Sequence, residues 1–209
     1  MRLRHSLNRL PDALSGLSIW FFRHRDIQQV ADQPDMVNDM NTALLVIDMQ
    51  NDYLSEKRMK RFAYDTEELV SSVNRIIHQY IAEDHDVICI RHIIQNLPTN
   101  RLLFGYSIAG TDGAELYNGL DIVSDYIFDK LVGDALFNKN MRRLIEREGY
   151  DKLHLCGLDE CGCVAATALG AVKRGYKVEI LREGVATVFD ERKVARTKEK
   201  LKQAGVRYI

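Results

Sequence analysis

The sequence predicts an α/β fold: a three-layer, Rossmann-like architecture with a mostly parallel sheet of about six strands and helices on both faces. Three observations lead there. Short apolar runs at 43–47, 87–90 and 153–156 lack polar alternation, as expected of strands covered on both faces. Segments of helical period lie between the runs, the alternation that yields parallel strands joined by right-handed crossovers. The length of 209 residues suits one large domain with a full core.

Taken in order, the run at 43–47 is the first strand, and it ends in Asp48-Met49-Gln50-Asn51-Asp52-Tyr53. Asp65 and Glu68 then have cap and third-position spacing, and Leu69, Val70, Val73, Ile76, Ile77, Tyr80 and Ile81 recur at helical period. The second strand, 87–90, ends in Arg91-His92. Residues 95–120 contain Pro98 and four glycines and read as a long connection of the kind that carries function. A third short strand at 126–128 precedes Asp129-Lys130, and residues 138–148 form a helix with Met141, Leu144 and Ile145 on its apolar face. The strand at 153–156 leads through a tight turn into a helix that ends near Tyr176. A fifth strand at 177–181 follows. Asp190 caps a charged helix turned inward by Val194, Thr197 and Leu201, and 206–209 is the last strand. Residues 1–39 are expected to be a poorly ordered N-terminal extension, with the folded domain at 40–209.

Composition excludes several classes. Lys plus Arg number 29 against 30 Asp plus Glu, so no general attraction to nucleic acid or an anionic membrane is expected. No apolar run reaches the ~20 residues that span a bilayer. Four cysteines, Cys89, Cys156, Cys161 and Cys163, do not make a disulfide framework and fit a reducing, cytoplasmic setting. No pair of cysteines and histidines has zinc-ligand spacing, and no cofactor or metal is expected.

Chemistry concentrates at strand ends. Asp48, Lys130 and Cys163 each fall just beyond a strand, and in a parallel sheet those ends share one edge. A thiol at the start of a helix ionises more readily, a neighbouring carboxylate can take its proton, and a cation can hold the charge. Free backbone N–H groups at the same helix start can receive an oxyanion. The competing readings are a small buried hydrophobe at Cys163 and a turn residue at Asp48. Others are a redox pair of Cys161 with Cys163, or His92 in the role of base.

The runs LLVIDMQNDY, AGTDGAEL before IFDKLVGDALF, and LCGLDECGCVAATALGAVKRGYKVEIL together resemble the isochorismatase-like cysteine hydrolase superfamily, which includes nicotinamidases and N-carbamoylsarcosine amidase. The resemblance covers residues 42–209. It implies a nucleophile at Cys163, a general base and acid at Asp48 and a supporting cation at Lys130. It also implies a cis peptide at Leu158-Asp159 that aims the N–H groups of Asp159 and Cys163 at the substrate oxygen. Gln50, Tyr53, His92 and Glu160 are candidates to line the pocket. Glu160 stands where many members have Thr, and the region after the second strand reads RHIIQN rather than the Asp-x-His metal cluster of nicotinamidases. The expectation is therefore hydrolysis of a small amide or carbamoyl compound through a thioester, without metal, by a self-associating protein. A catalytically silent binding protein is the alternative.

Overall fold

Residues of alternating parity on one strand serve two cores. In β1 (Thr42–Ile47), Ala43, Leu45 and Ile47 enter one cluster while Leu44 and Val46 enter another. A computed structural model describes residues 41–209 of the protein; the expected extension at 1–39 lies outside the described residues. The sheet is completed by β2 (Asp86–His92), β3 (Ile127–Lys130), β4 (Lys152–Gly157), β5 (Lys177–Val185) and β6 (Arg207–Tyr208). Its order is β3-β2-β1-β4-β5-β6, and every pairing is parallel where a mostly parallel sheet was expected.

That order reverses at β1 and β4. From β1 the chain steps to β2 on one side, whereas from β4 it steps to β5 on the other. Equal-handed crossovers in opposite directions leave α2 (Thr66–Ala82) on one face and α5 (Ala165–Lys173) on the other. The connections leaving β1 and β4 diverge, and the carboxyl edge between them is where such sheets take ligands.

The helices follow their sequence signals. Asp65 caps α2 by accepting the Glu68 N–H at 3.1 Å, and Leu69, Val73, Ile76 and Ile77 are buried. Ile81, expected on the same face, is exposed because Tyr80 takes the inward place of the last turn. On the opposite face α4 (Lys139–Glu148) buries Met141, Leu144 and Ile145, and its carboxyl end closes on Gly149 with φ of 68°. Next to it lie α5 and α6 (Glu191–Gln203), the latter capped by Asp190 and burying Thr197 and Leu201. Two short helices complete the chain: α1 (Asn51–Leu54) follows directly on the end of β1, and α3 (Pro98–Leu103) falls in the segment expected to be a long connection. No side chain of α3 is buried, so no apolar period marks it in the sequence.

The end of β4 departs from the expectation in one respect. No peptide bond among the described residues is cis, so the bond between Leu158 and Asp159 is trans. The chain reverses instead through Gly157, at φ of +102°, and through the Asp159 carboxylate, which accepts the Cys161 N–H at 2.8 Å. Gly157 also lies directly against β1, and a Cβ there would stand 2.1 Å from the Ile47 carbonyl oxygen. Gly157→Ala should therefore cost about 3 kcal/mol of stability, combining left-handed strain with backbone overlap. Urea unfolding measures it, and a loss below ~1 kcal/mol would show that β1 can retreat.

Candidate active site

Asp48 leaves β1 in a left-handed conformation, φ +53°, held by its N–H to the Ile90 carbonyl at 2.9 Å. This conformation is uncommon outside glycine, though aspartate tolerates it better than most. It turns the carboxylate into the sheet edge, where the residue is only 2 % exposed. Lys130, the last residue of β3, reaches the same place. Its side chain is fully buried, and its Nζ lies 2.8 Å from Asp48 Oδ2 and 3.0 Å from Cys163 Sγ. The three groups named from the strand ends therefore meet around one ammonium.

Cys163 precedes the regular helix α5. Residues Glu160–Val164 form a wide turn closed by the Val164 N–H on the Asp159 carbonyl, with a non-helical kink at Gly162. Asp159 organises this turn. Besides the Cys161 N–H, its carboxylate accepts the Thr187 hydroxyl at 2.8 Å, the Val188 N–H at 3.0 Å and the Tyr64 hydroxyl at 3.0 Å. Its own N–H donates to no acceptor among the described residues.

Burial pushes the Cys163 thiol up to about 12; the Asp48 carboxylate adds to the rise and Lys130 opposes it. At rest the sulfur is protonated. Asp48 Oδ1 is buried without a hydrogen-bond partner by geometry, and the Asp48 carboxylate is close enough to the thiol to act on its proton. Burial works against the Lys130 charge, but Asp48 and Cys163 outweigh it and hold the ammonium above its ordinary range.

The remaining candidates separate into those at the site and those turned away. Tyr53 donates or accepts at Ser107 Oγ, 2.8 Å away, and lies 3.3 Å from His92 Nδ1. Burial and then the Asp48 charge raise its hydroxyl pKa, which keeps it a neutral phenol. His92 is half-buried, and burial followed by Lys130 lowers its pKa, so the ring is neutral. Its side-chain hydrogen-bond contact is Tyr53, not the thiol. Gln50 corrects the expectation, because it is wholly buried and its amide is consumed by the His92 carbonyl and N–H and by the Ala114 carbonyl. It ties β1 to β2 rather than facing a ligand. Glu160 is likewise turned away, with its buried carboxylate 3.3 Å from Lys198 on α6 and beside Tyr208 on β6. Its charge is therefore answered outside the site.

Sequence reasoning missed an aromatic group around Tyr53. Phe62 packs edge-on to Tyr53 at 4.8 Å and to Tyr106 at 5.3 Å, with Arg61 over Phe62 and Tyr106. Tyr64 adds a phenol that feels both Cys163 and Asp48. These residues sit in irregular connections, where no period announces a side chain's direction. The donors here do not fit a metal. Among the described residues no three His, Cys, Asp or Glu groups converge, His92 Nδ1 faces Tyr53, and Asp52 accepts the Ser107 N–H at 2.6 Å.

Comparison with known proteins places this geometry in a wider setting. Residues 42–209 match the family model described as the isochorismatase domain. A probable inactive nicotinamidase of Arabidopsis thaliana is 30% identical over 169 residues, covering 72% of this chain and 83% of the relative. An isochorismatase family protein of Bacillus subtilis (strain 168) is 26% identical over 149 residues, covering 71% and 79%. Among solved structures, N-carbamoylsarcosine amidase from Thermoplasma acidophilum superposes with a TM-score of 0.69 at 23% identity, covering 81% of this chain and 95% of that one. Pyrazinamidase of Pyrococcus horikoshii in complex with zinc gives 0.68 at 24% identity, covering 81% and 98%. At these identities the structural likeness establishes the fold.

Proposed function

Since the chain belongs to the isochorismatase family, we propose that it hydrolyses a small amide or carbamoyl compound through a thioester on Cys163. The observation that carries this reading is the single buried ammonium, Lys130 Nζ, in contact with both a carboxylate and a thiol. A structural core has no use for that combination, because burying two charges costs several kcal/mol that attraction only partly returns.

The chemistry runs as follows. Asp48 accepts the Cys163 proton as sulfur attacks the substrate carbonyl, and Lys130 holds the charge that develops on sulfur. The tetrahedral oxyanion is received by backbone N–H groups of the nucleophile turn, those of Asp159 and Cys163, although the bond before Asp159 is trans. The Asp159 N–H has no other acceptor among the described residues. Collapse breaks the C–N bond, and the nitrogen leaves as ammonia or an amine carrying the proton from Asp48. Water, deprotonated by Asp48, then attacks the thioester carbonyl, releases the acid and returns the proton to the thiol. His92 is left out of the proton path, since its ring nitrogen meets Tyr53 and not the sulfur.

The test is ammonia release from a panel of small aliphatic and aromatic primary amides and N-carbamoyl amino acids. It is joined to acid quench during turnover and mass analysis of the peptide carrying Cys163. The expected result is release with an acyl adduct on that peptide. Release without an adduct would remove the covalent mechanism. A panel without release would favour a silent binding protein, a reading to which the description of the Arabidopsis relative as a probable inactive nicotinamidase lends weight.

A further inference from the structure

On the face away from α2, a cleft of about 490 Å³ opens between α5 and α6. Helical spacing builds it. Lys193, Thr197 and Lys200 recur at intervals of four and three along one face of α6, and Lys173 and Arg174 close the far end of α5 opposite them. Cys161 and Gly162 also line it. The two half-exposed thiols therefore serve different places: Cys163 meets Lys130, while Cys161 opens to this cleft.

The charge of the cleft is one-sided. Four cations line it against a single carboxylate, Asp134, in a chain whose formal net charge is −1. Asp134 is already spent, accepting the Leu136 N–H at 2.9 Å and the Arg174 guanidinium at 3.0 Å. It cannot move toward the lysines, because it packs so tightly on α5 that a Cβ at Gly170 would stand 2.1 Å from its Oδ2. Lys173 and Lys200 have no ion pair among the described residues, and Lys193 meets only the Phe189 ring, 5.8 Å away. Lys198, one residue from Thr197, points elsewhere and is answered by Glu160. The Thr197 hydroxyl donates to no acceptor among the described residues although the residue is only 9 % exposed. Three exposed ammonium groups and a hydroxyl thus line one cleft without an anionic partner among the described residues, which leaves a positive potential there for an anion to enter.

We propose that this cleft is a binding site, separate from the Asp48–Lys130–Cys163 site, for a small molecule carrying two or more phosphate charges. Lysines are compact point charges that meet phosphate oxygens from several directions, with no need for the planar fork that arginine offers a carboxylate. The volume admits a phosphate ester or pyrophosphate. Thr197 supplies a neutral donor at the wall, and Cys161 at the floor reports occupancy.

The test uses the full chain carrying Cys163→Ala, in which Cys161 is the one thiol that is not buried. Its modification by neutral N-ethylmaleimide is followed with pyrophosphate, inorganic phosphate, citrate or chloride at matched ionic strength. Pyrophosphate should slow the reaction about tenfold at saturation, with half of the effect below ~1 mM. Adding Lys173→Ala with Lys200→Ala should abolish protection, whereas Lys202→Ala, on the same helix but outside the cleft, should leave it intact. No protection, or equal loss in the Lys202→Ala control, would overturn the site. Equal protection by citrate would overturn the phosphate class.

Discussion

Cys163→Ala should lower amide turnover by at least ~10⁴-fold while leaving the unfolding midpoint within a few degrees of the parent. The two halves of that expectation come from different facts. The nucleophile cannot be replaced, since the neighbouring Cys161 opens to the cleft between α5 and α6 and not toward Lys130. The fold should tolerate the loss, since its removal leaves Lys130 still paired with Asp48. Retained turnover would transfer the chemistry to another group and remove Cys163 from the mechanism.

The same residue should show an unusual pH dependence. With burial holding the thiol up to about 12, the sulfur stays protonated across the neutral range. Thiolate is then a small minority at pH 7, so attack depends on Asp48 taking the proton as the bond forms. In Asp48→Asn, which lacks that acceptor, alkylation of Cys163 by neutral iodoacetamide should accordingly keep climbing with pH through the neutral range and beyond it. A plateau reached below pH 8 in that variant would mean a thiolate formed without Asp48, and Asp48 would lose its role as the acceptor.

Much of this arrangement was legible in the chain because a parallel sheet converts sequence order into geometry. Continuous apolar runs located the strands, and whatever followed β1, β3 and β4 had to emerge at one edge, which is how Asp48, Lys130 and Cys163 could be grouped across more than a hundred residues. The direction of side chains that leave the strands obeys no such rule. Gln50 follows Asp48 by two residues but is captured by the backbone of His92 and Ala114, and Glu160 is captured by Lys198 from a helix thirty-odd residues later. Asp159 was read for its N–H alone. Its carboxylate proves to hold the nucleophile turn to Tyr64, Thr187 and Val188, partners that no spacing in the sequence connects. The aromatic group of Phe62, Tyr64 and Tyr106 escaped for the same reason.

The second large effect concerns the buried ion pair. Lys130→Met keeps the stem volume but strands the Asp48 carboxylate, which is 2 % exposed, without its cation. That should cost about 3–5 kcal/mol of stability and abolish turnover. Asp48→Asn leaves the opposite residue, a buried ammonium facing a neutral amide, and should destabilise the fold by a similar order while lowering turnover by ~10³-fold or more through loss of the base. The double variant removes both charges. Because most of each single penalty is the uncompensated partner, Asp48→Asn with Lys130→Met should recover most of the lost stability, giving a coupling of several kcal/mol in the unfolding cycle. Its turnover should stay at the background. Stability that returns while activity does not would separate the two tasks of the pair: charge balance is needed for the fold, and the charges themselves are needed for the reaction. If the double variant were as unstable as the sum of the singles, the 2.8 Å contact would carry no mutual stabilisation, and Lys130 would have to be held by Cys163 and its surroundings alone.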